Sequence, residues 1–467
     1  MVALGLPRSV TVADMNAAVP AIARSDDQSF FGHPKGLFYL VFTETWERFS
    51  YYGMTALVVL YMVNQLLLPG HAEHIVGFKG LRAAIESVVG PLSTKALASQ
   101  IFGLYSGFVY FTPLLGGLVA DRWIGQRNAV VIGALLMSAG HLAMTFDQSF
   151  LLALLLLVTG SGLLKGNISS QVGAVYPPND SARRSRGFVI FSTGINLGAA
   201  LGPLLCGFLS QVYGWHYGFG AATIFMLAGL VTYLSGYRYL PTRVQSAEVR
   251  QEPLTPSDWR TIRALVAVIV ITIFPSMAYF QHFNALPIWI QEHVTVNVGS
   301  FRIPIPWFQS IDSTTSMLAA APMLWIWRRQ ISRGVGSGDL DKIGIGAWIA
   351  AASNLVLVGA IYFSGGNAIN PIWPFLYCTG LGIAFIHYWP ALLALVSRSA
   401  PTKVNATMMG VVFVSLFITS VLMGRVGSFY ERMSPIVFWT LHAAIGIAGG
   451  LLVMVFGRRL GHVLRSA

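Results

Sequence analysis

Two carboxylates and a guanidinium, Glu44, Glu47 and Arg48, fall within one helical turn of each other in a stretch otherwise apolar enough to cross a bilayer. Read as a helix, Glu44, Glu47/Arg48, Tyr51/Tyr52 and Thr55 recur at i, i+3/i+4 and i+7/i+8 and share one face. A charge at the middle of a membrane helix costs roughly 2.5–3.5 kcal/mol even on permissive scales. Such groups persist where they pair with one another or line a polar cavity, so the stripe is read as a functional site. A second cation, Lys165, stands in another apolar run, within Gly162-Leu-Leu-Lys-Gly-Asn-Ile-Ser-Ser170. It lies about seven residues from the end of that run, near the limit of a snorkelling lysine. Pairing with Glu44 or Glu47 is the sharper alternative. Two carboxylates against Arg48 and Lys165 make a neutral quartet, and protonating either carboxylate leaves a cation seeking a new partner. That imbalance is what a proton-driven switch requires.

The chain that must hold these groups has 467 residues, 55% hydrophobic and 10% charged. Soluble domains carry about 25% charged residues, so most soluble classes are excluded. The long apolar runs recur throughout, and a bilayer-spanning segment must satisfy its own backbone, so they are helices. The pattern predicts an all-α membrane protein with twelve transmembrane helices, at 36–64, 97–121, 127–146, 150–172, 187–211, 218–240, 262–291, 307–328, 342–364, 372–396, 404–425 and 436–457. The net charge of +12 falls in short loops between the runs and gives no reason to expect nucleic acid. Arginines and lysines concentrate in the alternate loops that follow even-numbered spans, which puts both termini in the cytoplasm by the positive-inside rule. The first run follows about 35 mixed residues and carries charge, so no cleavable signal peptide is expected. Cys206 and Cys378 both lie in apolar runs, and neither a disulfide nor a metal site is indicated.

A charged, Pro-containing connection at 241–261 divides six spans from six. The expected organisation is a cytoplasmic tail (1–35), an N-terminal six-helix bundle (36–240), the linker, and a C-terminal six-helix bundle (262–460), with substrate near midplane between the bundles. The loop at 65–96 is expected to be a structured excursion. Between spans 2 and 3, Gly116-Gly117 precede Asp121, Arg122 and Arg127. Glycines permit close helix approach, and the charges can tie one helix end to its neighbour. This pattern resembles the gating loop of the major facilitator superfamily.

More specifically, Glu44-Thr-Trp-Glu47-Arg48-Phe-Ser-Tyr51-Tyr52-Gly53 resembles the first signature of the proton-dependent oligopeptide transporter (POT) family of that superfamily. The stretch from Asp180 to Gly198 resembles the second, and Trp307-Phe-Gln-Ser310 and Met408-Met-Gly410 match later landmarks. The 241–261 link is too short for the two extra helices some members carry. The resemblance implies proton coupling through Glu44, Glu47, Arg48 and Lys165. It implies substrate contacts from Arg48, Lys165, the tyrosines Tyr51, Tyr52 and Tyr110, and Asn196. Other positions depart. Thr55 stands where peptide carriers have a second arginine, Tyr279 and Phe280 precede Gln281 in place of a glutamate, and Phe385 replaces the acceptor of the peptide amino group. Asp312 replaces an asparagine and offers a negative charge, or else is a helix-start aspartate. Gln281, His387 and Trp389 are further candidates, with His387 a possible proton relay.

The reading is a proton-coupled symporter of small solutes, di- and tripeptides first, in the bacterial inner (plasma) membrane. It is expected to be monomeric, with protons and a small-molecule substrate as partners and no cofactor. The alternative within transport is a non-peptide organic anion or amphipathic metabolite. An embedded enzyme is disfavoured, since HExxH, GxSxG and a Cys/His pair of suitable spacing are all missing.

Overall fold

The computed structural model describes residues 29–177, 180–241 and 253–465. Most of the N-terminal tail and of the central linker lie outside them. The chain is all-helical apart from two short hairpins, β1/β2 (Ser29–Phe30 with His33–Pro34) and β3/β4 (Asn297–Val298 with Phe301–Arg302). The first half contains α1 (Lys35–Tyr61), α2 (Phe78–Val89), α3 (Thr94–Val119), α4 (Gln126–Ala143), α5 (Phe150–Ala174), α6 (Ser181–Tyr213) and α7 (Trp215–Ser235). The second contains α8 (Pro256–His293), α9 (Trp307–Ser332), α10 (Asp339–Ser364), α11 (Ile372–Ser399), α12 (Asn405–Gly427) and α13 (Pro435–Arg465).

Leaving aside the short α2, these are twelve long helices, the expected number. Nine helices of the described residues are long and apolar enough to cross a membrane on composition alone. The remaining three are α1, α4 and α9. In α1 the same three charges that mark the site dilute the apolar signal. Local chemistry sets the ends. Gly214, at φ 102°, turns α6 directly into α7, a conformation that a side chain would strain. At α8, the Thr255 side chain accepts from the Asp258 backbone and the Asp258 side chain from the Thr255 backbone, with Pro256 in the first turn. The helix therefore begins inside the stretch read as linker. Likewise α6 begins at Ser181 because Asp180 caps it, accepting from the Arg183 N–H at 3.0 Å. The end of the tail is ordered too, as the β1/β2 hairpin. The 65–96 loop holds α2, whose twelve residues are too few to span.

In the first half α1 packs on α6 and α7, α3 on α5, and α4 on α5 and α7; in the second, α10 packs on α11 and α13, α8 on α12 and α13, and α9 on α11. The halves meet along α3/α12, α6/α9 and α1/α8. Hydrogen bonds and ion pairs across this seam cluster at the end away from the chain termini. Asn284 donates to Ser99 Oγ at 2.7 Å, Ser99 to Gly424 O at 3.0 Å, and Gln211 to Arg302 O at 2.7 Å. Asn64 and Gln291 exchange two bonds at 2.8 and 2.9 Å. Gly103 and Gly424 allow the close approach, since a Cβ on Gly103 would lie 2.7 Å from Gly424 Cα. Lys95 of α3 bridges Glu292 and Glu431 of the other half. The far end is closed.

Lys95 is 29% exposed, and an ion pair at the water's edge is worth about 0–1 kcal/mol. Lys95→Met should therefore loosen the seal only slightly. Backbone hydrogen exchange over 94–103 and 420–428 is expected to quicken by up to about fivefold, with the rest of the chain unchanged.

Candidate functional site

The charged stripe of α1 is buried. Glu44 is 3%, Glu47 0% and Arg48 8% exposed. Arg48 Nε lies 2.8 Å from Glu44 Oε1 and 2.7 Å from Glu47 Oε2. One guanidinium thus lies against both carboxylates, Glu44 at the i, i+4 spacing that brings helix neighbours together and Glu47 from the adjacent position. Arg48 Nε donates a hydrogen bond to Glu44 alone, and Glu44 Oε2 and both oxygens of Glu47 have no hydrogen-bond partner among the described residues, so each carboxylate retains an oxygen able to take a proton.

What brings α6 against this stripe is a row of glycines four residues apart. A Cβ on Gly194 would lie 2.7 Å from Thr45 Oγ1, on Gly198 2.3 Å from Thr45 O and 2.8 Å from Arg48 Cβ, and on Gly202 2.3 Å from Phe49 O. Gly198→Ala should therefore push α6 away from Arg48 and lower stability by about 1–3 kcal/mol, measured by thermal unfolding in detergent. Gly117→Ala, where a Cβ would meet nothing within 4 Å, is the control and should be nearly neutral. Asn196 is half-buried between the first two of these glycines.

On the other side, Gly116 and Gly162 let α3 and α5 touch, a Cβ on Gly116 falling 2.1 Å from Gly162 O. Lys165 follows one turn later. Its ammonium stands 4.1 Å from the Tyr51 ring centroid and 5.9 Å from that of Tyr110. It makes no ion pair within 4.0 Å among the described residues, so the expected contact with Glu47 is not made in this conformation. The reason is geometric. Arg48 folds back along its own helix and takes both carboxylates, and the lysine turns to the π faces beside it.

The stripe continues across the seam through aromatic rings. Tyr51 and Tyr52 meet edge to face at 5.1 Å, Tyr52 reaches Phe283 at 6.0 Å, and Tyr110 reaches Phe280 at 5.9 Å. In the second half Tyr279, Phe385 and Trp389 stack in a column, with centroids 5.5 and 6.5 Å apart. Beside it Asp312, 2% exposed, accepts a hydrogen bond from the Tyr279 hydroxyl and lies 3.6 Å from His282 Nε2. Two charge centres, one in each half, are thus joined by aromatic side chains in a helical membrane body sealed at one end.

The model of the Major Facilitator Superfamily matches residues 48–424. The chain belongs to the major facilitator superfamily. Among its relatives, the uncharacterized transporter YclF of Bacillus subtilis is 29% identical, the match covering 92% of this chain and 94% of that one. Peptide transporter YePEPT of Yersinia enterocolitica is 28% identical over 92% and 95%. A crystal structure of peptide transporter POT in complex with sulfate superposes with a TM-score of 0.81 at 27% identity, covering 94% of this chain and 97% of that one. The POT resemblance read from the two signatures is upheld, and so is the fold of two six-helix bundles.

Against this superfamily fold the remaining candidates sort unevenly. Asp121 is exposed in a π-turn, Ala120–Ile124, and accepts only a long 3.5 Å bond from Gln126. Arg127 instead stacks over Tyr237 at 4.8 Å, and Arg122 is exposed. The expected tie between Asp121 and the arginines is absent among the described residues, because the π-turn swings the aspartate outward. Gln281 is fully buried and donates to Met423 O at 3.0 Å, which gives it a part in helix packing. His387 sits at 2.8 Å from its own helix carbonyl, Ile383 O, and edge-on to Trp327 at 5.5 Å. It does not join the Asp312 cluster. The histidine that does, His282, is not among the candidates read from the sequence, although a titratable residue immediately after Gln281 in a membrane span is the available signal. Asp312 lies in the second turn of α9 with its carboxylate on α8 side chains, so it is not a helix-start cap.

Proposed function

We propose that the chain is a proton-coupled symporter that imports small peptides by alternating access across the bacterial plasma membrane, with both termini cytoplasmic. The observation that carries this reading is the shared guanidinium: Arg48 holds Glu44 and Glu47 together while Lys165 rests on Tyr51 and Tyr110. With the far end open, Lys165 pairs with Glu47, and the carboxylate of an entering substrate approaches Arg48 and Lys165. Protonation at Glu44 or Glu47 frees Lys165 and lets the far end close. The sealed far end, with Lys165 already off the carboxylates, fits the state after that step. Tyr51, Tyr52, Tyr110 and Asn196 surround the substrate from the first half and Asp312 from the second.

A second reading rests on the aromatic column. Tyr279, Phe385 and Trp389 fill the wall where a peptide carrier needs an acidic acceptor for the amino group, which favours a non-peptide organic anion. A thermal-shift screen of dialanine and other dipeptides against organic acids separates the two. A ligand at 100 times its Kd stabilises the folded carrier by about 2.7 kcal/mol. Stabilisation by dipeptides supports the first reading; stabilisation by organic acids alone replaces it with the second.

A further inference from the structure

We propose that Asp312 and His282 form a second proton-holding site, in the C-terminal half, mechanically tied to closure of the far end. The proposal deepens the symporter reading but does not depend on the identity of the substrate.

The hydrogen-bond geometry leaves a place for a proton there. His282 Nδ1 lies 2.7 Å from Tyr279 O. A carbonyl only accepts, so Nδ1 carries a hydrogen. In a neutral imidazole the other nitrogen, Nε2, then presents a lone pair. That nitrogen points at Asp312 Oδ2, 3.6 Å away, and has no hydrogen-bond partner among the described residues. Asp312 Oδ2 already accepts from the Tyr279 hydroxyl, and 3.6 Å is too long for a hydrogen bond to His282, so a proton on either group would let the two close into one. With that proton bound the site is either an imidazolium beside a carboxylate or an imidazole beside a carboxylic acid, and both are neutral overall. Without it the buried carboxylate has the Tyr279 and Ser313 hydroxyls as donors but no cation beside it among the described residues, which is costly in a site this dry. His282 is 0% and Asp312 2% exposed.

No lysine or arginine substitutes for that proton. Against Asp312 lie Tyr279 and His282 from α8, and within electrostatic range of it are Tyr377, Cys378 and Tyr388 from α11 and Tyr52 from α1. Ser313 donates to Oδ1 at 3.1 Å. Among the described residues His282 is the one basic group paired with the aspartate.

The tie to the seal is the sequence of α8 itself. Gln281, immediately before His282, donates to Met423 O at 3.0 Å, and Asn284, two residues after, donates across the seam to Ser99 at 2.7 Å. The His282 ring lies 3.7 Å from that of Phe283, which meets Tyr52 of the α1 stripe. The pair therefore sits between a packing contact inside the second half and a hydrogen bond across the seam, so a proton gained or lost there bears on both. The chemistry is one proton gained from water as an N–H or O–H bond and later returned to water, with no other bond changed.

Nuclear magnetic resonance of the full-length carrier, with its histidine rings carbon-13 labelled, tests this in detergent and without substrate. His282→Gln identifies the His282 resonance by its loss. In wild type that resonance should titrate with a midpoint that Asp312→Asn moves by about one pH unit or more, while the resonances of the buried His141 and His442 stay in place. Asp312→Ser supplies the same comparison if the asparagine variant does not fold. A His282 resonance with the same midpoint whether or not Asp312 is present would overturn the proposal, as would one that does not titrate in either protein between about pH 5 and 9. Failure of peptide uptake would leave this result standing, so the two readings fail separately.

Discussion

Replacing Glu47 by Gln is expected to abolish pH-gradient-driven accumulation of dialanine in proteoliposomes, by about tenfold or more, while counterflow exchange persists. The expectation follows from what the substitution removes. The amide keeps the size of the side chain but cannot gain or lose a proton, and it offers Arg48 a weaker partner than the carboxylate 2.7 Å away. The cluster then behaves as permanently protonated at that position. Substrate can still ride through the carrier in exchange, yet its movement no longer draws on the proton gradient. A coupling free energy of about 1–3 kcal/mol corresponds to a 5–150-fold effect, which sets the size of the loss. Gradient-driven uptake at the wild-type level in Glu47→Gln would contradict the assignment.

Lys165→Ala has the other large expected effect, and its signature differs. The ammonium is the one mobile cation of the quartet, since Arg48 is anchored by two carboxylates while Lys165 is held by the rings of Tyr51 and Tyr110. Without it, Glu47 has no partner to exchange for a proton when the far end opens, and the substrate carboxylate loses one of two cations. Both gradient-driven uptake and counterflow should fall by about tenfold or more. Lys165→Arg should restore part of the exchange, because a cation is again present, but at a bulkier and differently shaped group. Thermal stability should hold or rise in the alanine variant, because a half-buried charge without an ion-pair partner is removed.

Glu44, Glu47 and Arg48 can be grouped from spacing alone because all three sit on one helix, where period and rise fix neighbours within a turn. The twelve long helices are equally legible, since a membrane forces each span to be long and apolar. What spacing does not decide is competition between helices. Lys165 has the reach to pair with a glutamate, but Arg48 takes both carboxylates first. The Asp121 tie depends on a regular helix end, and the π-turn at Ala120–Ile124 turns that side chain outward. The hairpin at Ser29–Pro34 escapes a sequence reading because it is too short to carry a periodic signal, whereas the helical spacing of Phe78, Leu81 and Ile85 in α2 is present in the sequence. His282 has no meaning within its own helix. Its role comes only from Asp312, on the next long helix, and from a Tyr279 carbonyl that fixes which nitrogen carries hydrogen. The glycines Gly194, Gly198 and Gly202 show the reverse case. Their four-residue period is plain in the sequence, and their effect is to bring a second helix backbone within contact of Arg48.

In the proposed cycle, proton movement through the Glu44–Glu47–Arg48–Lys165 cluster drives uptake of small peptides. Its most direct test is uptake of labelled dialanine into liposomes containing the purified carrier, with the interior alkaline relative to the bath. The account predicts accumulation above the external concentration that collapses when a protonophore removes the gradient. Uptake that only equilibrates, or accumulation indifferent to the protonophore, would contradict it.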